Sequence, residues 1–304
     1  FGQAPDPKTV TSKNAGAEYQ DEYIAGLDQA FEMFGTKWTT GAKASYRHLR
    51  RMLDDVCAED VFMDQGAAQG FDPNAALGSG CYIMNPGSSM GQISTFNVPL
   101  ATGGYGTMRI PWSDFGMPTL LRKYLGLDLY LEHPFDGTWY GRIDYTISHT
   151  FGNTEGSVRS SSGQMDVAQT VDWDNPGVMT YANGDQSNDR RHQIKLLGYW
   201  QINPQWLIGA NAQIMSGTPR FCFGYFGAEQ GNPSGYGASY HFCGPQGIPA
   251  PPGSTGRTPW QEIVSLNVAY RPAFAEHKLG FSVLVYNLFD QQRMVQFSPT
   301  SVSG

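Results

Sequence analysis

The stretch YLGLDLYLEHPFDGTWYGRIDYTISHTFG, from Tyr124 to Gly152, decides how the rest of the chain is read. Leu125, Leu127, Leu129 and Leu131 alternate with small, polar or charged residues. A turn follows at Pro134 to Gly137, and Trp139, Gly141, Ile143, Tyr145, Ile147 and Phe151 then resume the alternation. A period of two puts every second side chain on one face of a strand, and a short turn joins two such strands as antiparallel neighbours. The opposite face carries Tyr140, Arg142, Asp144, Thr146 and Ser148. Each arm runs to about a dozen residues, whereas soluble strands cluster near 5–6 and a tilted strand needs about 9–11 to cross a bilayer. The length therefore favours a membrane strand over a soluble sandwich, which alternation alone does not separate.

Working outward, three further hairpins repeat the pattern. In one, Tyr23, Ala25, Leu27, Phe31 and Met33 precede Gly35, and Trp38, Thr40, Ala42, Ala44 and Tyr46 follow it. In the next, His192, Ile194, Leu196, Gly198, Trp200 and Ile202 lead to Asn203 and Pro204, then to Trp206, Ile208, Ala210, Ala212 and Ile214. The last has Val264, Leu266, Val268 and Tyr270, a turn from Pro272 to Glu276, and Leu279, Phe281, Val283 and Val285. The whole reads as about eight strands in four hairpins, an all-β chain.

The connections are lopsided. Those inside hairpins take a few residues, while those between hairpins run from about Arg50 to Pro118, Gly152 to Ser187 and Arg220 to Thr258. Loops beyond about 15 residues are uncommon in compact soluble domains, but short turns at one end and long loops at the other are the habit of outer-membrane barrels. Trp38, Trp139, Trp200, Trp206 and Tyr270 all sit on the apolar face within a few residues of a short turn. Such rings collect where a bilayer meets water, because the ring is apolar and its N–H or O–H needs a wet partner. They are read as the periplasmic girdle, with Tyr46 and Phe151 as candidates for the outer one.

Composition agrees. The 304 residues are 13% aromatic and only 15% charged, with 37 Gly and 19 Pro, against an average charged share of about 25%. No apolar run approaches the roughly 18 residues of a spanning helix, and Phe1 begins in polar sequence unlike a signal peptide. A formal charge of −7 leaves no basic footprint for a nucleic-acid partner. Four cysteines form two local pairs, Cys57 with Cys81 and Cys222 with Cys243, in Gly/Pro/Asn-rich stretches and without zinc-type spacing. Two loop disulfides in an oxidising compartment are expected, each contributing about 3 kcal/mol.

With these residues in view, the stretches Tyr124 to Gly156 and Asn188 to Arg220, and the late VYNLFDQQR from Val285 to Arg293, resemble the barrel of TonB-dependent receptors of the Oar-like group. The resemblance covers Asp21 to Arg293, and its NLFD element, Asn287 to Asp290, is generic to late barrel strands. It implies a transmembrane antiparallel β-barrel of roughly 22 strands around a plug, in a Gram-negative outer membrane. The chain, residues 1–304, is then expected to be the C-terminal portion of such a barrel, with plug and N-terminal strands elsewhere. The long loops would be extracellular and the short turns periplasmic. The implied function is active uptake of a large or scarce nutrient (siderophore, peptide or saccharide), driven by the TonB complex acting on the plug. Outer-membrane lipid and lipopolysaccharide are the other expected partners. A structural or adhesion protein on the same barrel is an alternative reading, and a soluble secreted β-rich enzyme a third.

By parity Asp128, Arg142, Asp144, Arg191 and Lys195 fall on the polar face, which in a barrel is the lumen. They are candidates for contact with plug or cargo, or for a fixed ion-pair network filling a wet wall. The acidic loop groups Asp54, Asp55, Glu59 and Asp60, and Asp172 with Asp174, could offer oxygen ligands to calcium, although neither has EF-hand spacing. No other cofactor is expected. Ser160 to Gly163 lacks the setting of a nucleophile elbow, so no catalytic residue is nominated. The Gly/Tyr-rich segment from Tyr225 to Tyr240 could present rings to a ligand or act as a rigid lid.

Overall fold

The computed structural model describes residues 6–225, 236–276 and 278–300; most of the Tyr225 to Tyr240 segment therefore lies outside the described residues. In chain order, β1 (Tyr19–Met33) and β2 (Thr36–Arg50) form the first hairpin, and β3 (Asp54–Val56), α1 (Glu59–Ala68), α2 (Pro73–Leu77), β4 (Tyr82–Met84), β5 (Ile93–Pro99) and β6 (Tyr105–Pro111) fill the first long connection. Next come β7 (Arg122–His133) and β8 (Trp139–Gly152), then α3 (Pro176–Met179) and β9 (Gly184–Asp185). After them β10 (His192–Asn203), β11 (Trp206–Met215), β12 (Phe242–Cys243), β13 (Ile248–Pro249), β14 (Gln261–Tyr270) and β15 (Phe281–Val285) complete the order.

The eight long strands make one antiparallel sheet in the order β1-β2-β7-β8-β10-β11-β14-β15, with β9 added beside β8. Register carries the sequence alternation across it, with one irregularity between Gln201 and Asn203 at the turn end of β10. Leu27 faces Ala42, Ala42 faces Leu129, Leu129 faces Tyr145 and Tyr145 faces Ile194; further along, Leu196 faces Ala212 and Ala212 faces Val264. Because residues opposite each other point to the same side, one face is apolar from edge to edge and the other polar.

The hairpin turns follow from local chemistry. Phe34 and Gly35 both take positive φ (54° and 75°), as a two-residue loop needs to match the twist of its strands. At the second turn Asp136 Oδ1 accepts from the N–H of Thr138 and Trp139 (2.8 and 3.1 Å). At the third, Asn203 Oδ1 accepts from Gln205 and Trp206 (2.9 and 3.0 Å). Side chains of this kind substitute for a backbone turn and fix the register behind it.

The long connections depart from the expectation of plain loops, because they fold. The pairs β3–β4 and β5–β6 form small antiparallel sheets, and α1 and α2 pack with them. Met52, Phe62, Tyr82, Phe96, Met108, Trp112 and Trp173 are buried together in one apolar cluster. Phe62 meets Tyr82 at 4.7 Å and Phe96 at 5.4 Å between ring centres, and Trp112 meets Trp173 at 5.9 Å. Each of these short pieces buries too little alone; the cluster gathers Trp173 from the second long connection onto residues of the first. The result is a cap with its own core at the long-loop end of the sheet.

Candidate functional site

Three groups of side chains carry chemistry: the polar face of the sheet, the buried acids of the cap, and the aromatic row beside the short turns. On the polar face, Arg142 bridges Glu132 (2.8 Å) and Asp144 (2.7 Å) and lies over the Tyr130 ring at 4.4 Å. The Asp128 carboxylate accepts from Thr146 Oγ1 at 2.6 Å and meets Lys43 Nζ at 3.3 Å. Tyr130 reaches across Gly41 to donate to Asp28 at 2.8 Å. A Cβ at Gly41 would stand 2.2 Å from Asp28 and 2.3 Å from Tyr130, so the bond exists because that position has no side chain. Lys195 is opposite Asp144 in register, and among the described residues no ion pair ends on it. Asp28, Lys43, Asp128, Arg142, Asp144 and Lys195 line a hollow of about 700 Å³.

Of the five polar candidates, Asp128, Arg142, Asp144 and Lys195 are brought together. Arg191 is not, which corrects its placement by parity. It lies just before β10, where its guanidinium meets Asp185 (2.9 Å) and Asp189 (2.8 Å) instead. Asp185 pairs with Phe151 through β9 and so points to the apolar side, taking Arg191 with it. Strand parity stops being a guide one residue outside the strand. Asp28, Lys43, Tyr130 and Glu132 were missed as members of the polar network, although the same period-two count on β1, β2 and β7 would have found them.

In the cap, Asp54 is fully buried and accepts from the N–H and hydroxyl of Thr170 (2.9 and 2.6 Å). Burial pushes its carboxyl up to about 8, and raises Asp174 to about 8 as well, with the charges of Asp55 and Asp54 adding to the effect on Asp174. Asp55 is raised by burial to about 6. Asp172 is also raised by burial, opposed by Arg159, whose Nε is 3.2 Å away. His241 is lowered to about 3 by burial and then by Arg159. The structure thus gathers four of the six loop acids. Among the described residues, however, no three carboxylates bring oxygens within 4.8 Å of one another. The group that meets that spacing joins Asp55 to Cys57 and Cys81, which are bonded to each other and offer no thiolate. Glu59 and Asp60 stand at the exposed start of α1. The second disulfide joins Cys222 and Cys243.

At the short-turn end, His133 stacks on Trp139 at 3.9 Å between ring centres and Trp38 meets His133 edge-on at 4.9 Å. Trp139 faces Trp200 in register, and Trp206 packs on Tyr270 at 4.5 Å. Trp38 turns its N–H to Met33 O and Thr36 Oγ1 at the turn (3.2 and 3.0 Å). His133 was overlooked as a member of this row because a lone His at a strand end gives no sequence signal.

No family model matches the chain. Over 287 residues, 93% of its length, it is 29% identical to the TonB-dependent transporter Oar of Myxococcus xanthus. The chain is thus similar over nearly its whole length to part of a TonB-dependent transporter. It spans 22% of that protein's length. Among solved structures it is similar to the outer membrane transporter YddB of Escherichia coli (TM-score 0.48, 13% identity, 95% of this chain and 31% of that one). It is also similar to the ferric-catecholate import receptor Fiu of Escherichia coli K12 (TM-score 0.41, 10% identity, 92% of this chain and 25% of that one). In the sheet itself β1 and β15 are the two edge strands.

Proposed function

We propose that the chain is the C-terminal part of the barrel of a TonB-dependent transporter, with plug and remaining strands supplied by the rest of the protein, and that the whole takes up a large or scarce nutrient such as a siderophore, peptide or saccharide. The observation that carries the reading is the continuous apolar face of the long antiparallel strands in a chain related to such a transporter. Unpaired strand edges inside a bilayer cost several kcal/mol per unsatisfied group, which supports β1 and β15 meeting further strands. The polar network of Asp128, Arg142, Asp144 and Lys195 then lines the lumen, where it faces plug or passing cargo. The row of Trp38, Trp139, Trp200, Trp206 and Tyr270 is the periplasmic girdle, and the cap faces the cell exterior.

Two measurements test this. The full-length protein should bind the periplasmic domain of TonB in a pull-down, and lose that binding when its plug is deleted. For orientation, the four cysteines of this chain are bonded, so with any free cysteine elsewhere in the protein replaced, an introduced thiol reports alone. A membrane-impermeant label on intact cells should reach Met165→Cys in the second long connection and not Gln205→Cys in a short turn. Labelling of Gln205→Cys with the outer membrane intact would overturn the orientation.

A further inference from the structure

Beyond the cap-side ends of β11 and β14 lies a hollow of about 280 Å³ that is separate from the polar face of the sheet and from the buried acids. It opens between the second long connection, both ends of the third and the segment that follows β15. Arg220 stands in its wall on a backbone held from both sides. Its N–H donates to Gly256 O at 2.8 Å, and its carbonyl accepts from Thr255 Oγ1 at 2.9 Å. The segment after β15 is tied to this stretch by the N–H of Phe223 on Pro299 O at 2.7 Å. The wall is therefore set before any ligand arrives, which lowers the ordering cost of binding.

The Arg220 guanidinium lies over the Phe297 ring, 4.2 Å from its centre. Among the described residues no ion pair and no hydrogen bond ends on that guanidinium. No Asp or Glu lines the hollow, although the chain has 27 Asp and Glu against 20 Lys and Arg. An arginine left unpaired in an acid-free recess of an acidic chain keeps its fork of N–H donors for a ligand. The rest of the wall offers hydroxyls and amides. Glu155, behind the wall, accepts from the hydroxyls of Ser160 and Ser187, so both serine oxygens keep lone pairs for O–H donors of a ligand. The carboxamides of Asn188 and Gln296 each donate and accept, and make no hydrogen bond among the described residues. Phe221 supplies an apolar side. A ligand that satisfies this set brings two acceptor oxygens side by side for the guanidinium, O–H donors for the serines, and an apolar ring face for Phe221. An inorganic anion or a peptide end brings the first and lacks the second, and a neutral sugar lacks the first. The volume is at the small end of the range of about 300–1,000 Å³ usual for ligand sites, room for one six-membered ring.

We propose that this hollow is a binding subsite for a uronic acid unit, a saccharide ring that carries a carboxylate. Its carboxylate sits on Arg220, its hydroxyls on Ser160, Ser187, Asn188 and Gln296, and its C–H face on Phe221. The inference rests on the importer reading above and narrows the cargo of that importer to an acidic saccharide.

The test uses the full-length protein that contains this chain, in detergent, with glucuronate, glucose and trialanine as probes and dissociation constants from saturation-transfer NMR titrations. Glucuronate should bind at least about ten-fold more tightly than either of the others, the effect of one charge-assisted pair. Arg220→Gln should remove the preference over glucose, and Asn188→Ala should weaken both sugars. Arg293→Gln, which removes a cation of the same segment outside the hollow, should change neither. Heat-modifiable gel mobility confirms that each variant is folded, and the comparison of three probes on the unaltered protein needs no variant. Glucose or trialanine bound as tightly as glucuronate overturns the proposal, as does no detectable binding of glucuronate. So does a folded Arg220→Gln variant that keeps the preference, a folded Asn188→Ala variant that binds both sugars unchanged, or an Arg293→Gln variant that loses as much as Arg220→Gln. Failure of the importer reading would be seen separately, as a full-length protein that does not bind the periplasmic domain of TonB.

Discussion

Tryptophan serves opposite ends in the cap and in the sheet. Trp112 and Trp173 are 0% exposed at the centre of the cap, whereas Trp200 is 52% and Trp206 40% exposed on the sheet. The cap is built as a water-soluble domain, with apolar groups gathered inward because water surrounds it. The sheet is built the other way out, with apolar groups on the surface that lipid covers and charges on the surface that water fills. One chain therefore carries two solvent regimes, and the same residue type is assigned by which solvent its element meets.

The largest effect that would break this contrast lies in the cap. Trp112→Ala or Phe62→Ala should cost about 3–5 kcal/mol of cap stability, seen as faster hydrogen exchange in residues 52–117 with β7 to β11 unchanged. Equal loss of protection in the sheet would mean that the two regions are one cooperative unit. Next, reducing Cys57–Cys81 should remove about 3 kcal/mol from the cap, and limited proteolysis should then cut the first long connection first; an unchanged cutting pattern would leave the bond without a structural role. On the sheet, Leu196→Arg or Ile208→Arg should cost about 2–4 kcal/mol, while Gln193→Arg on the polar face should cost little. Similar penalties on both faces in a refolding assay would contradict the assignment of sides.

The smallest expected effect is the response of the cap to pH. Asp54 and Asp174 keep a proton in the folded cap up to about 8, whereas in the unfolded chain they lose it near the usual carboxylate value of about 4. The folded cap binds more protons between those values, so cap stability falls as pH rises through that window. Asp55, raised to about 6, adds to the fall in its lower part. His241, lowered to about 3, works in reverse: between about 3 and 6.5 the unfolded chain binds the extra proton, and stability rises with pH. The net fall should be clearest from about 6.5 to 8, where His241 no longer contributes. The protection factors of cap amides, with the intrinsic rise of exchange with pH divided out, should fall over that range, and Asp54→Asn should reduce the fall. A profile already flat in the unaltered protein would show that these acids are not held protonated.

The barrel strands were legible because each is a local statement. Leu125 to Leu131 and Trp139 to Phe151 alternate without help from elsewhere, and Asp136 and Asn203 fix their own turns within three residues. The polar candidates on strand positions, Asp128, Arg142, Asp144 and Lys195, followed from the same count. Arg191 did not, because its direction is set by Asp185 and Asp189 rather than by a ladder. The cap was read as loop for a related reason: β3, β4 and α2 are three to five residues long, too short for a period to stand out from the Gly/Pro-rich sequence around them, and the seven-residue β5 and β6 were overlooked.

The sequence by itself determined the strands, their two faces, the lopsided connections and the family likeness, since alternation, turn residues and composition all act over a few neighbouring positions. Only the tertiary structure decided that the long connections fold into a cored cap, that Asp54, Asp55, Asp172 and Asp174 share it, and that arginine–aspartate pairs line one rim of the apolar face. These arise where pieces dozens of residues apart meet, Thr170 on Asp54 and Arg257 on Asp185. Chain closure over such distances is governed by packing and charge pairing between segments, and no single segment carries that information.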